Sequence, residues 1–284
     1  MTMTTPHALA DARSFLFVPG NRPERFEKAA ASGADVIVLD LEDAVPAADK
    51  AGARAAIAQA WPALQALGVP LVVRVNSLDQ PLGQDDLQWF TQLQAPAGVM
   101  VPKAESAEAL RAVQERLPAV PVLPLIESAA GWSAVPAIAA VPGVLRLVVG
   151  HIDFMADTGI VCADDEAELL PLRFAVAMAT RLNRLAAAVD GVTVAIQDDA
   201  RLREDTRRAL RLGFGAKLCI HPRQVAVVHE TLAPTPQQAD WAARVVAADA
   251  AAGGAAVQID GRMVDLPVVL QARRVLARVR TPAA

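Results

Sequence analysis

The sequence has little of what several protein classes require. It contains 2 cysteines and 4 histidines. Cys162 and Cys219 therefore make neither a disulfide framework nor a zinc cluster, and we expect two reduced thiols in a cytoplasmic protein. A formal net charge of −4 argues against nucleic acid as a partner. No apolar run approaches the ~20 residues that cross a bilayer, and the N-terminal segment lacks the pattern of a signal peptide.

What the sequence does have is a series of short apolar runs, most of them followed by an Ala-rich helical pattern. Strands that alternate with helices predict parallel pairing, and nearly continuous apolar strands predict burial on both faces. The pattern therefore favours a (β/α)8 TIM barrel. An open doubly wound sheet would carry a G-x-G-x-x-G turn, and none is found. The eight runs are FLFVP (15–19), VIVLD (36–40), LVVRV (71–75), GVMVP (98–102), VLPLI (122–126), LRLVV (145–149), VTVAI (192–196) and AKLCI (216–220).

The predicted barrel domain covers residues 13–225, and residues 226–284 exceed the needs of eight βα units. We interpret this C-terminal part as a helical extension: one helix ending in glycines, a turn at Asp260–Gly261 and a final helix. Its apolar segment needs a partner surface, which a neighbouring subunit would supply. The helices predicted within the barrel cover residues 23–32, 49–67, 106–117, 172–188 and 199–212.

Polar residues follow the apolar runs, at the strand ends where barrel enzymes carry their chemistry. Glu127 and Asp153 end neighbouring predicted strands, so their carboxylates can approach one ion. Converging carboxylates need a neutralising charge, and Mg2+ suits oxygen ligands with water or substrate completing its shell. The other strand-end groups are Asn21, Arg22, Asp40, Glu42, Asp43, Arg74, Asn76, Lys103, Glu105, Ser128, His151, Gln197, Asp198, Asp199 and His221.

Each assignment has a structural alternative that the pattern alone leaves open. Glu127 is compatible with an ion pair to Arg74 across the barrel mouth. The acids Asp40, Glu42 and Asp43 are compatible with helix capping, and for Asp43 capping is favoured. His221 is compatible with a structural hydrogen bond, and Asp265 with a cap on the last helix.

Several longer motifs point to a known family. The opening segment RSFLFVPGNRPERFEKAAASGADVIVLDLEDAVPAADKAGAR resembles the citrate lyase β-subunit and malyl-CoA lyase family, within the wider HpcH/HpaI aldolase group. VVRVN, VPKAES, PLIESAAG, GHIDFMADTG, KLCIHPRQV and DGRMVDLPVV follow in that family's order, so the resemblance runs from about Arg13 to Val269. Two segments lie where the sequences of relatives often differ: VCADDEAELLPLR, and Ile196–Gln197 within VTVAIQDD.

The resemblance implies a TIM barrel that cleaves or forms a carbon–carbon bond in a 3-hydroxyacyl-CoA such as citryl-CoA or malyl-CoA. The products would be acetyl-CoA and an α-keto acid, oxaloacetate or glyoxylate. The metal ligands for Mg2+ would be Glu127 and Asp153, with Arg74 and Glu127 contacting substrate. Arg74 would stabilise the enolate, and Asp265 would reach the site of a neighbouring subunit and exchange a proton there. Residues expected around the metal or CoA are Asp40, Glu42, Arg13 and Lys103.

The resemblance also implies a homo-oligomer, a trimer or hexamer with shared active sites. An acyl-carrier protein or other lyase subunits are possible further partners. Two rival functions stay open: a class II pyruvate aldolase that acts without CoA, and a structural subunit of a lyase complex. The presence of Arg74, Glu127, Asp153 and Asp265 together argues against the structural subunit.

Overall fold

The computed structural model describes residues 6–279, which form two compact units that divide between Val228 and His229. Within these residues, no helix has both the length and the apolar character needed to cross a bilayer. The strands of the first unit are β1 (Ser14–Pro19), β2 (Val36–Asp40), β3 (Leu71–Arg74), β4 (Gly98–Val101), β5 (Val122–Ile126), β6 (Val148–Val149), β7 (Val189–Asp190) and β8 (Ala216–Cys219). Its helices are α1 (Pro6–Asp11), α2 (Phe26–Ala30), α3 (Lys50–Ala66), α4 (Pro81–Phe90), α5 (Ala107–Arg116), α6 (Ala129–Ala139), α7 (His151–Thr158), α8 (Leu170–Leu182), α9 (Asp199–Arg211) and α10 (Arg223–Leu232), the last of which continues into the second unit.

The eight strands close into one parallel barrel. Each strand pairs with the next along the chain, and β1 also pairs with β8. The predicted TIM barrel is therefore confirmed. The register places Pro19 beside Asp40 and Asp40 beside Arg74, so the last residues of β1, β2 and β3 lie together at the carboxyl end of the barrel.

Side-chain alternation along the strands fills the barrel with apolar groups. Because successive side chains of a strand point to opposite faces, every second residue points inward. Along β2, β3 and β5 the same alternation continues past the core, and the next inward-facing positions are Asp40, Arg74 and Glu127. Charged groups therefore follow the apolar layers of the barrel. The inward residues of the buried cluster include Phe15, Val36, Val38, Val72, Met100, Leu123, Leu125, Val148, Val189, Ala216 and Leu218.

Arg146 is buried at the opposite, amino end of the barrel. Its guanidinium donates to the carbonyl oxygens of Leu9 at 2.9 Å, Ala12 at 2.7 Å and Ala187 at 2.6 Å, and lies 5.3 Å from the Phe15 ring centroid. Burial lowers the pKa of Arg146 to about 9. These hydrogen bonds connect α1 and the segment before β7 to the amino end of the barrel, which is remote from the carboxylates.

The seventh strand corrects the sequence-based prediction. It is Val189–Asp190 and pairs with Val148 and Ala216, whereas the predicted strand at residues 192–196 lies in the connection to α9. The preceding helix ends at Leu182, short of the predicted residue 188. The prediction failed because Asp190 interrupts the apolar run and VTVAI alternates like a strand. In the fold, Asp190 points out of the barrel toward cations that compensate its charge.

The second unit is a small helix–hairpin–helix arrangement. Its elements are α11 (Pro236–Ala251), β9 (Val257–Ile259), β10 (Arg262–Val264) and α12 (Leu266–Leu276). Asp260 and Gly261 have φ values of 50° and 75°, which two-residue hairpin turns require, so the predicted turn is found. The predicted domain boundary at residues 225/226 falls inside α10. Packing of this unit on a neighbouring subunit stays a prediction. The unit buries its own small core of Ala242, Val245, Val264, Val269 and Ala272.

Asp190 is the buried anion that joins β7 to its surroundings, and its removal should be costly. It is fully buried, accepting from Arg173 Nε at 2.9 Å and Lys217 Nζ at 3.4 Å. Asp190→Ala leaves buried Lys217 without a carboxylate partner and Arg173 with Glu166 alone, so we expect a loss of about 3–5 kcal/mol in the free energy of unfolding. The exposed pair of Glu204 and Arg211 offers the control: Glu204→Ala should cost ~1 kcal/mol or less. Urea unfolding measures both, and equal losses would contradict this role for Asp190.

Candidate active site

Arg74 and Asp40 form a two-bond ion pair at the carboxyl end of the barrel. Arg74 Nε donates to Asp40 Oδ1 at 2.7 Å, and Nη2 donates to Oδ2 at 2.8 Å. The same Asp40 carboxylate accepts the backbone N–H groups of Glu42 and Ala44. Asp40 thereby fixes both the guanidinium and the turn after β2. The predicted capping of the next helix by Asp40, Glu42 or Asp43 is not found, because α3 begins after Asp49 and has no side-chain cap.

The remaining nitrogen of Arg74 faces Glu42. Arg74 Nη1 lies 2.7 Å from Glu42 Oε2, close enough for an ion pair but without hydrogen-bond alignment. The guanidinium also stacks 4.8 Å from the Phe17 ring centroid. Burial opposes the charged form of Arg74, but the Asp40 and Glu42 carboxylates outweigh it and raise its pKa above the ordinary value. Arg74 is therefore a fixed, permanent cation.

Buried bonds from α3 and α4 hold the β2 and β3 ends in place. Lys50 Nζ donates to the carbonyl oxygens of Leu41 at 2.9 Å and Glu42 at 3.0 Å, and to the Asn76 side chain. Asp86 Oδ2 accepts the Asn76 backbone N–H at 2.7 Å. Sequence reasoning placed Asn76 at a strand end but missed Lys50 and Asp86, because both lie on helices.

Glu127 has one satisfied and one unsatisfied carboxylate oxygen. It is 2% exposed, and its Oε1 accepts the Lys103 backbone N–H at 2.8 Å. Its Oε2 is buried without a hydrogen-bond donor among the described residues. Burial, with the negative charges of Glu42 and Asp153, raises the pKa of Glu127 to about 8. The open alternative of an ion pair with Arg74 is not what the structure shows, since Arg74 pairs with Asp40 and Glu42.

Gly150 leaves the space into which the unsatisfied oxygen points. A Cβ atom on Gly150 would lie 2.5 Å from Glu127 Oε2 and 2.7 Å from Glu127 Cβ. Gly150 is also the residue before α7. Sequence reasoning did not single it out, although a glycine directly before the GHIDF acidic motif is the signal that marks it.

Lys103 holds Glu127 through a backbone conformation that is unusual for a residue with a side chain. Its φ of 45° lies in the left-handed region, where a non-glycine residue is strained. Its Nζ lies 3.2 Å from Glu42 Oε1. Burial opposes the charge on Lys103, but Glu42 outweighs it and raises the pKa of the amine. Lys103 therefore contacts both carboxylates.

Asp153 lies in the first turn of α7 and is half-buried, near enough to raise the pKa of Glu127. Among the described residues, no group of three or more His, Cys, Asp or Glu side chains is arranged to hold a metal ion by itself. Two carboxylates with one orphaned oxygen fit Mg2+, which keeps several waters and takes one or two carboxylates. They do not fit zinc, which takes three or four protein ligands.

Two further predicted site residues, Asp265 and Arg13, belong to other parts of the chain. Asp265 belongs to the second unit, where its Oδ1 accepts the Val268 N–H at 3.5 Å and caps α12. Arg13 precedes β1, and its backbone N–H donates to Asp35, the residue before β2, at 2.7 Å. That is the amino end of the barrel. The structure therefore does not bring Arg13 to the predicted metal or CoA contact.

Comparison with known proteins gives consistent matches. The model of the family described as HpcH/HpaI aldolase/citrate lyase matches residues 13–222. A citrate lyase subunit beta-like protein of Deinococcus radiodurans is 40% identical over 289 residues, covering 97% of this chain and 99% of that protein. A (3S)-malyl-CoA thioesterase of Cereibacter sphaeroides is 31% identical over 281 residues and covers 98% of each.

Solved structures match at the level of the whole fold. CitE from Mycobacterium tuberculosis, in complex with magnesium, acetoacetate and coenzyme A, has a TM-score of 0.82 at 34% identity and covers 95% of this chain and 98% of that chain. The citrate lyase beta subunit of the same organism, complexed with oxaloacetate and magnesium, has a TM-score of 0.69 at 34% identity, covering 80% and 99%.

The space at Gly150 gives a direct test of the cation site. Gly150→Ala should push the Glu127 carboxylate aside and weaken binding of Mg2+ by about 10–100-fold, the usual effect of disturbing groups around metal ligands. Gly52→Ala on α3 is the matched control, because its added methyl meets nothing within 4 Å. Isothermal titration with Mg2+ measures both variants. Equal affinities of the two variants would show that Glu127 does not bind the ion.

Proposed function

The chain belongs to the HpcH/HpaI aldolase/citrate lyase family and is a carbon–carbon lyase, and we propose that it cleaves or forms a 3-hydroxyacyl-CoA with Mg2+. The substrates would be of the citryl-CoA or malyl-CoA type, giving acetyl-CoA and oxaloacetate or glyoxylate. The observation that carries the proposal is the buried, unpartnered Oε2 of Glu127 beside the fixed cation Arg74.

Glu127 and Asp153 would hold the magnesium ion. When bound, Mg2+ supplies a Lewis acid and a template for substrate oxygens. Glu127 is suited to the part because one oxygen is fixed by the Lys103 N–H while the other remains open. The magnesium complexes of the M. tuberculosis structures support this assignment.

Arg74 would stabilise the negative charge that builds up on the thioester part of the substrate. Asp40 holds two of its nitrogens, so the guanidinium cannot turn away as charge develops. A donor fixed in this way needs no reorganisation during the reaction and is worth roughly 3 kcal/mol. Lysine at this position would keep the charge but lose the planar two-bond geometry with Asp40.

Asp265 would exchange a proton with the acetyl methyl carbon. Its Oδ1 is engaged as the α12 cap, and no donor among the described residues contacts Oδ2, so this oxygen is available as a general base. We place it in the site of a neighbouring chain, in a trimer or hexamer, because it lies in a unit outside the barrel. The further partners that we propose are an acyl-carrier protein or other lyase subunits.

A second candidate is hydrolysis of the thioester, which the similarity to a (3S)-malyl-CoA thioesterase supports. The two reactions release different products. Lyase action on malyl-CoA gives glyoxylate and acetyl-CoA, with no free thiol, whereas hydrolysis gives malate and free CoA thiol. A class II pyruvate aldolase would instead act on a small hydroxy-keto acid without CoA.

The test is to incubate the purified chain with Mg2+ and malyl-CoA or citryl-CoA, while keto acid and free thiol are assayed separately. We expect keto acid in excess of thiol, and kcat/KM lower by roughly 10²-fold in Arg74→Lys. Thiol that equals the substrate consumed, without keto acid, would identify the thioesterase. Cleavage of a small hydroxy-keto acid alone would identify the CoA-independent aldolase.

Sharing of the site between chains is tested by complementation. Glu127→Ala and Asp265→Ala should each be inactive, since one lacks a metal ligand and the other the proton acceptor. Refolded together in equal amounts, they should regain about a quarter of the sites, because random neighbours in a closed assembly combine both intact parts at that frequency.

The co-refolded sample needs two distinguishable tags that elute together, which shows that mixed oligomers form. Activity that stays at the single-variant level in such mixed oligomers would mean that Asp265 acts within its own chain or has no catalytic part. Refolding each variant with itself is the control for recovery during refolding.

A further inference from the structure

His151 is a buried side chain at the start of α7 that the proposed mechanism does not use. It is 3% exposed, and its Nδ1 is buried without a hydrogen-bond partner among the described residues. It is the first residue of α7 and lies two residues before Asp153. Because protein covers Nδ1, this nitrogen is not available to a metal ion or a substrate. The role of the side chain therefore lies in what it packs against.

The imidazole of His151 packs directly on the backbone of Gly191, the residue after β7. A Cβ atom on Gly191 would overlap His151 Nδ1 and would lie 2.9 Å from its Cε1. Protein interiors are close-packed, so any side chain larger than hydrogen at position 191 would require the imidazole to move. Gly191 therefore allows a close approach between the backbone of β7 and the first residue of α7.

The start of α7 is held from two sides. It follows β6, which pairs with β5 on one side and with β7 on the other. Gly150 faces β5, where an added Cβ would lie 2.5 Å from Glu127 Oε2, and His151 faces β7 at Gly191. A displacement of the imidazole away from β7 would therefore move the first turn of α7 toward the Glu127 carboxylate.

Gly191 is itself fixed by buried charges around β7. Its carbonyl oxygen accepts from Lys217 Nζ at 2.8 Å, and the same amine lies 3.4 Å from Asp190 Oδ2. Arg173 Nε donates to Asp190 Oδ1 at 2.9 Å. The side chains of Lys217, Asp190 and Arg173 are all buried. The backbone on which the imidazole rests is therefore held in place by the same ion pairs that neutralise Asp190.

We propose that His151 is a positioning residue, which places the Asp153 carboxylate at the cation site by filling the space between Gly191 and the first turn of α7. It acts through its shape, since Nδ1 has no hydrogen-bond partner among the described residues. The inference rests on the proposed magnesium site and adds the contact that orients one of its ligands. Residues that orient metal ligands affect metal affinity without touching the ion.

Crowding of the imidazole tests this role. The methyl group of Gly191→Ala should push His151 and the first turn of α7 toward β5, and we expect the affinity for Mg2+ to fall by about 100-fold. Gly215→Ala is the matched control. Its methyl would lie 2.7 Å from Ala187 Cβ, so it crowds the segments before β7 and β8 at the amino end of the barrel. This control should lower the free energy of unfolding but leave the affinity for Mg2+ unchanged. Isothermal titration with Mg2+ and urea unfolding measure the two quantities.

Removal of the imidazole shows whether it carries the effect. In His151→Ala the start of α7 keeps its backbone bonds, from Gly150 N–H to the Ile126 carbonyl and from Phe154 N–H to the Gly150 carbonyl. We expect about 10-fold weaker binding of Mg2+, because the support on the β7 side is lost. The double variant Gly191→Ala/His151→Ala has room for the methyl group. It should bind Mg2+ as tightly as His151→Ala alone, and therefore more tightly than Gly191→Ala.

Three results would overturn the proposal in variants whose circular dichroism spectra show that they are folded. The first is wild-type affinity in Gly191→Ala, or in His151→Ala if Gly191→Ala does not fold. The second is an equal loss of affinity in Gly191→Ala and Gly215→Ala, which would mean that the affinity follows stability. The third is a double variant that binds Mg2+ as weakly as Gly191→Ala. A wild-type chain that binds no Mg2+ would overturn the cation site itself, and this inference with it.

Discussion

The structure depends on one constraint: the carboxylate of Glu127 is buried, although its second oxygen has no hydrogen-bond donor among the described residues. Glu127 follows the apolar core of the barrel, and burial holds its pKa near 8 in the protein alone. A charged group in such a place is costly unless a cation or donor compensates it. The Lys103 N–H satisfies Oε1, Gly150 leaves room beside Oε2, and Asp153 adds a second carboxylate. Each of these features makes sense if a divalent cation completes the site.

The permanent cation Arg74 is near enough to Glu127 to interact with its charge, but it pairs with other carboxylates. Asp40 and Glu42 occupy its three nitrogens, and bonds from Lys50 fix the turn that carries Glu42. If Arg74 paired with Glu127 instead, the two charges would neutralise each other and the site would lose its affinity for a cation. Asp40 at the end of β2 and Glu42 after it thus hold Arg74 in place and leave Glu127 for the metal.

The sequence predicted most of this architecture because its signals are local. Seven apolar runs contain strands of the barrel, and the two-residue alternation leads from the core to Asp40, Arg74 and Glu127. The prediction of the seventh strand was wrong because Asp190 carries an outward-facing charge, and its partners, Arg173 and Lys217, lie on other elements. Lys50 and Asp86 were missed because they lie on helices, and Arg13, expected around the metal or CoA, lies at the amino end of the barrel. Pairing between residues that are distant along the chain is a property of the fold, and it leaves no periodic pattern in the sequence.

The most direct test of the cation site is a crystal of this protein grown with Mn2+, which mimics Mg2+ and scatters anomalously. The account requires an anomalous peak about 2.1 Å from Glu127 Oε2, with the Asp153 carboxylate also in its coordination shell and water in the remaining positions. An empty site with Glu127 Oε2 hydrogen-bonded to a protein group, in crystals that hold Mn2+ elsewhere, would contradict it.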